Sequence, residues 1–255
     1  ILRIEQYYAM KTDGSRIIFG PMNDFSSAFT AALSLLASGD ADLAEIIALS
    51  LQVSLGAVFI ATCIGMPLGA ATALYKFPGR RTVVVILNAL MGLPPVVVGL
   101  IVYLLLSRMG PFGVLGLLFT PTAMVFAQVI LIVPIIAALS RQIVEDLWRE
   151  YDEQLRSLGA GPLRCMATLL WDGRFSLLTA VLAGFGRASA EVGAVMIVGG
   201  NIDHVTRVMT TSIALEVSKG NLAMALGLGM VLIVLSLAIN GSAFLLKESG
   251  LRKHA

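Results

Sequence analysis

Hydrophobic residues run in long blocks along this chain, and the charged ones are crowded between the blocks. Residues 46–75, 82–107, 109–140 and 220–246 contain no Asp, Glu, Lys or Arg. Residues 175–202 are equally apolar except for Arg187 and Glu191. A helix needs about 20 apolar residues to cross the hydrocarbon core. The pattern therefore predicts five spans and an all-α membrane protein, the transmembrane region covering 46–246. The third span is expected to start near Pro121, after a Gly-rich loop.

Composition agrees with the pattern. The chain is 57% hydrophobic and 13% charged, with a mean hydropathy of +0.88. Soluble domains carry about a quarter of their residues as charges. The net charge of +2 leaves no electrostatic footprint for nucleic acid. Cys63 and Cys165 lie far apart in the topology without a CxxC partner, and His204 and His254 complete no metal-ligand cluster, so neither a disulfide nor a metal site is expected. HExxH, GxSxG and GxxxxGK[ST] are all absent.

Charge placement orients the spans. Lys76, Arg80 and Arg81 stand in one connection, five arginines in 141–174, and Lys247, Arg252 and Lys253 in the tail 247–255. These segments alternate onto one side, which the positive-inside rule makes cytoplasmic. The N-terminus is then expected outside and the C-terminus inside. Residues 1–21 form an uncharacterised N-terminal extension that lacks the apolar core of a signal peptide, and Met22 is an alternative start. Phe25, Phe29, Leu33 and Leu36 recur at helical spacing, so 22–45 is expected to hold a helix lying in the outer interface.

The 141–174 connection is the most informative segment. Leu147, Tyr151, Leu155 and Leu158 share one helical face, with Glu145/Arg149 and Asp152/Arg156 as i,i+4 pairs. Gly159 stands where a left-handed helix end requires it, and Pro162 suits the first turn of a new helix. Two short helices meeting at a tight turn are expected. Inside the membrane, Arg187 and Glu191 fall in the middle of the fourth span, at a spacing that permits an intrahelical pair. They either orient this helix against its neighbours or flank a polar path. Pro94 and Pro95 break the second span, either as a packing kink or beside a cavity. Gln128, Pro134 and Asn240 are polar or breaking positions of the same ambiguous kind. Gly65 and Gly69 form a GxxxG that permits close helix approach.

These segments carry a resemblance. Glu153-Gln-Leu-Arg-Ser-Leu-Gly159 resembles the EAA loop of permease subunits in bacterial ABC importers, with Gln154 and Leu155 in place of two alanines and Trp171-Asp172 in place of Leu-Pro. The stretch from Asn88 through Pro94, Pro95 and Val96 to Gly99 resembles the tungstate permeases. So do the stretches from Gly184 through Arg187 and Glu191 to Asn201, and from Thr206 to Thr211. The similarity runs from Asp24 to Lys247; molybdate and sulfate permeases share it less closely.

The resemblance implies a binding-protein-dependent ABC importer permease fold with a coupling helix in the 141–174 loop. Leu147, Tyr151, Asp152, Glu153, Gln154, Leu155, Arg156, Ser157, Leu158, Gly159, Ala160, Gly161, Pro162 and Arg164 are then expected at the ATPase interface. Pro94, Pro95, Val96, Gln128, Arg187 and Glu191 are expected at the gate or path. It further implies two permease chains in membrane lipid, two ATPase chains and an external oxyanion-binding protein. ATP and magnesium would be bound by the ATPase, so this chain needs no cofactor and has no catalytic residue. Tungstate is the expected cargo, with molybdate or sulfate as alternatives. A secondary carrier is disfavoured by the small number of spans and the lack of an internal repeat.

Overall fold

The computed structural model describes residues 29–30 and 41–252, and side chains within that range other than those of 223 and 246–252. In chain order the helices are α1 Ala41–Leu74, α2 Arg80–Leu90, α3 Pro95–Leu106 and α4 Pro121–Ser157. They continue as α5 Pro162–Asp172, α6 Arg174–Ser189, α7 Gly193–Gly199, α8 Met209–Ser218 and α9 Leu222–Arg252. Among the described residues there is no strand, which fits a solvent in which backbone groups must be paired within the segment.

Among the described residues, three helices are long and apolar enough to cross a membrane unaided: α1, α4 and the 224–245 part of α9. The bent pairs α2–α3 and α5–α6 raise the possible total to five. Set against the five expected stretches, α1, α4 and α9 are continuous, the second stretch is broken between α2 and α3, and the fourth, 175–202, is broken between α6 and α7. Most of the expected interfacial helix at 22–45 lies outside the described residues, and its last five residues are the first turns of α1.

Helix α4 is the hub. Thr120 caps its start by accepting from the Ala123 N–H at 3.4 Å, and Pro121 occupies the first turn, where no intrahelical donor is lost. Ile132, Ile136, Ala57, Ala61, Phe185 and Ala188 bury a cluster between α4, α1 and α6. Val98, Val102, Ala123, Ala127, Ala194 and Val198 bury another between α4, α3 and α7. The GxxxG of α1 meets α4 where a Cβ on Gly69 would stand 2.4 Å from the Ala137 carbonyl oxygen, so the approach requires glycine.

The structure corrects the expected pair of short helices in 141–174. Residues 141–157 are the end of α4, a 37-residue helix that runs out of the apolar core without a break. Only the second, α5, is separate. Gly159 makes the turn at φ +66°, and Pro162 is in the first turn of α5.

Candidate functional site

Two interrupted spans bring their breaks together. The first lies at Met91–Pro94, where the chain bends by 102° between α2 and α3, slightly past a right angle and well beyond a kink. Pro95 has no N–H to lose at the start of α3, while Pro94 holds extended backbone at φ −66°, ψ 121°. The Val97 and Val98 N–H groups both donate to the Pro94 carbonyl, so the first turn is closed from within.

The second break falls at Ala190–Val192, between α6 and α7. Glu191 therefore does not sit in the middle of a continuous helix as its spacing suggested. The i,i+4 pair with Arg187 does form, at 3.6 Å, but Glu191 is buried while the Arg187 side chain is 34% exposed. The Glu191 carboxylate also accepts from the Ala194 N–H at 3.1 Å, supplying a donor of the first turn of α7 with an acceptor. Thr210 of α8 donates to the Glu191 carbonyl at 2.9 Å, and Gln128 of α4 donates to the Ala188 carbonyl at 3.2 Å. Three side chains thus take up backbone groups that the break exposes.

The two short helices are packed together. A Cβ on Gly99 of α3 would lie 2.7 Å from Cα of Ala194 in α7, so glycine sets this separation. A Cβ on Gly193 would meet the Val96 side chain at 2.8 Å. Val96 itself is 57% exposed, at the start of α3. Pro94, Pro95, Val96, Arg187 and Glu191 are accordingly gathered around one packed pair of helices. Gln128 approaches the same place from inside, as a brace on Ala188, and its Oε1 has no partner.

Exposed faces differ in chemistry. On α1, Leu55, Phe59, Ile60, Ile64 and Leu68 face outward, and on α9 Ile233, Val234, Leu237 and Phe244 do so. Such surfaces suit lipid. The outward face of α6 carries Ser176, Thr179, Ala183 and Gly186, with the half-buried Arg187 beside them and the exposed Ala190 just past the helix end. Small and polar residues on one face mark contact with protein or with water rather than with acyl chains.

At the other end, the 141–174 loop has a core of its own. Val144, Leu155, Cys165 and Leu169 are buried against Ala70 and Ala73 of α1, with Leu147, Tyr151 and Ala160 packed on them. The stripe expected to face a partner is split. Leu147, Tyr151 and Leu155 turn inward, and Leu158 alone is 81% exposed. Glu153, Gln154, Arg156, Ser157, Gly159, Gly161, Pro162 and Arg164 are exposed around it, as is Leu163, which the sequence pattern did not single out. Asp152 is held by Arg156 through a short charged contact.

The binding-protein-dependent transport system inner membrane component family matches residues 65–248. The chain belongs to that family. This permease is 41% identical over 227 residues to a tungstate uptake system permease protein of Peptoclostridium acidaminophilum, covering 89% of this chain and 100% of the relative. It is 37% identical over 221 residues to the corresponding Campylobacter jejuni protein, covering 87% and 92%. A sulfate transport system permease protein of Synechocystis is 28% identical over 207 residues, covering 78% and 75%. The protein is thus a multi-pass inner-membrane transport component. Thr210 and Ala194, which complete the second break, lie inside the resembling segments, but neither was singled out by the sequence. Thr210 stands 19 positions along the chain from the carbonyl it holds, and only folding joins them.

Proposed function

We propose that this permease conducts tungstate inward as one of two identical chains of an ABC importer. In this reading the exposed stripe of α6 and the start of α3 line the path, and the packed α3–α7 pair forms its gate. The exposed part of the 141–174 loop, from Glu153 to Arg164, seats the ATPase on the cytoplasmic side. The N-terminus is outside, the C-terminus inside, and an external binding protein delivers the oxyanion.

The observation that carries the path is the α6 face. Ser176, Thr179, Ala183 and Gly186 are exposed on a helix whose neighbours expose Phe, Leu and Ile. Arg187, beside this stripe with its Nε unpartnered, offers the positive charge that an oxyanion requires. Similarity to tungstate uptake permeases over nearly the whole chain supports tungstate over sulfate as cargo.

The test introduces bulk into each face. Gly186 has open space where a Cβ would stand, so Gly186→Trp should fold and obstruct the path. Tungstate uptake by cells should fall to background, whereas Leu237→Trp on the lipid face should leave it unchanged. Normal uptake by Gly186→Trp would remove α6 from the path. Competition by molybdate and sulfate in the same assay decides the cargo, and tungstate losing to sulfate would reverse that assignment.

A further inference from the structure

We propose that Arg80 is the positioning residue that links the ATPase-facing loop to the gate. The proposal rests on the importer reading above. Arg80 opens α2, the arm that leads to the Pro94 break. Its Nε donates to the Thr72 carbonyl at 2.6 Å and its Nη2 to the Ala73 carbonyl at 3.0 Å. Both carbonyls belong to the last turn of α1, whose final acceptors have no intrahelical donor. The same Nη2 lies 3.7 Å from Oε1 of Glu145 on α4. One guanidinium therefore ties the end of α1, the start of α2 and the emergent part of α4.

Glu145 is well placed to receive motion from the loop. It shares the unbroken α4 rod with Glu153 and Ser157, so displacement of the loop is carried to it through helix rather than through linker. It also gathers Arg141 at 2.5 Å and Arg149 at 3.9 Å, which hold its carboxylate in place. Arg80 and Glu145 are each about seven-tenths buried, at 30% and 28% exposure, so solvent screens this contact less than it would a surface pair.

Helix α2 needs such an anchor. Leu87 is its one buried side chain among 11 residues. The Tyr75–Gly79 linker before it contains a left-handed Gly79 with open space around it, which offers little stiffness. Its packing within the chain is chiefly against α4, so its position is set by that contact and by its two ends. One end is the Pro94 break, held on α7 through α3; the other is Arg80.

The experiment uses the permease reconstituted with its ATPase in proteoliposomes, supplied with ATP, the binding protein and tungstate. The readout is ATP hydrolysed per tungstate taken up. Arg80→Gln should raise that ratio about fivefold or more, the lower range of ordinary coupling between sites, because the loop still engages the ATPase while α2 no longer follows. Arg80→Lys retains the charge without the two-pronged donation and should fall between. Glu145→Gln should raise the ratio in the same direction, and it carries the test should Arg80→Gln fail to accumulate. Combining both substitutions should add little to either alone. A wild-type ratio in Glu145→Gln and in any Arg80 variant that accumulates overturns the proposal, as does a parallel loss of hydrolysis and uptake. Absence of ATP-driven tungstate or molybdate uptake by the unsubstituted complex would instead overturn the importer reading itself.

Discussion

The two breaks reach similar ends by different physics. At Met91–Pro94 the cause is covalent. Proline removes a backbone donor and fixes φ, so the chain turns there whatever surrounds it. At Ala190–Val192 no proline is present. Helix α6 stops where Gln128, Thr210 and the Glu191 carboxylate offer the backbone other partners. A break made by proline is built into the local chain. A break made by side chains from α4 and α8 exists only while those helices stay packed, and it can yield when they move. The second break is thus the adaptable one, and the first is the fixed point against which it works.

The largest expected effect lies at Glu191. Glu191→Ala strips Arg187 of its partner and the Ala194 N–H of its acceptor. Breaking a buried pair costs about 3–5 kcal/mol, and the partial exposure of Arg187 places this case at the lower end. Membrane abundance and detergent melting temperature should both drop sharply. Glu191→Gln, which keeps an acceptor oxygen, should recover part of the loss. Equal losses in the two variants would mean that the charge alone matters and that the helix cap does not.

A smaller effect is expected at Gln128. Gln128→Met preserves size but leaves the Ala188 carbonyl with only the Glu191 N–H, at 3.2 Å. Losing one such bond costs about 1 kcal/mol, seen as a modest fall in melting temperature. Pro94→Ala should cost less than this, because α3 is already held against α7. A greater loss from Pro94→Ala would reverse the assignment of fixed and adaptable breaks.

The smallest effect is a pH dependence in the loop that follows α7. His204 bonds Glu45 of α1 at 2.8 Å, and that hydrogen bond, followed by the charges of Glu45 and Asp203, raises the imidazole pKa above its usual 6.5. Asp42 and Arg207 complete the surroundings. Because the folded value is raised, the contribution is fully present below pH 6.5 and is lost as pH climbs through the raised value. Protection of the 200–208 amides from hydrogen exchange should decline slightly across that window, after correction for intrinsic exchange. His204→Gln should show no such dependence, and identical pH profiles in the two proteins would exclude the link.

What could be read from the sequence follows from how local each cause is. Uncharged blocks of sufficient length determine the candidate spans because lipid rejects charge residue by residue. Pro94 marked its break, and Gly159 with Pro162 marked the turn after α4, since each restricts its own backbone. The motif segments around Glu153 and Arg187 were likewise sufficient to point to the permease family.

Tertiary structure decided the rest. The stripe of Leu147, Tyr151 and Leu155 looked like a docking face, yet it closes the loop's own core against α1, because an apolar face does not specify its partner. Arg187 and Glu191 share a helical spacing, yet Glu191 lies beyond the helix end, since donors and acceptors on α4, α7 and α8 compete for that backbone. Arg80 read as one of several topology-setting cations. Its contacts with α1 and Glu145 arise only when three separate helices converge, a distance relation that spacing along the chain does not encode.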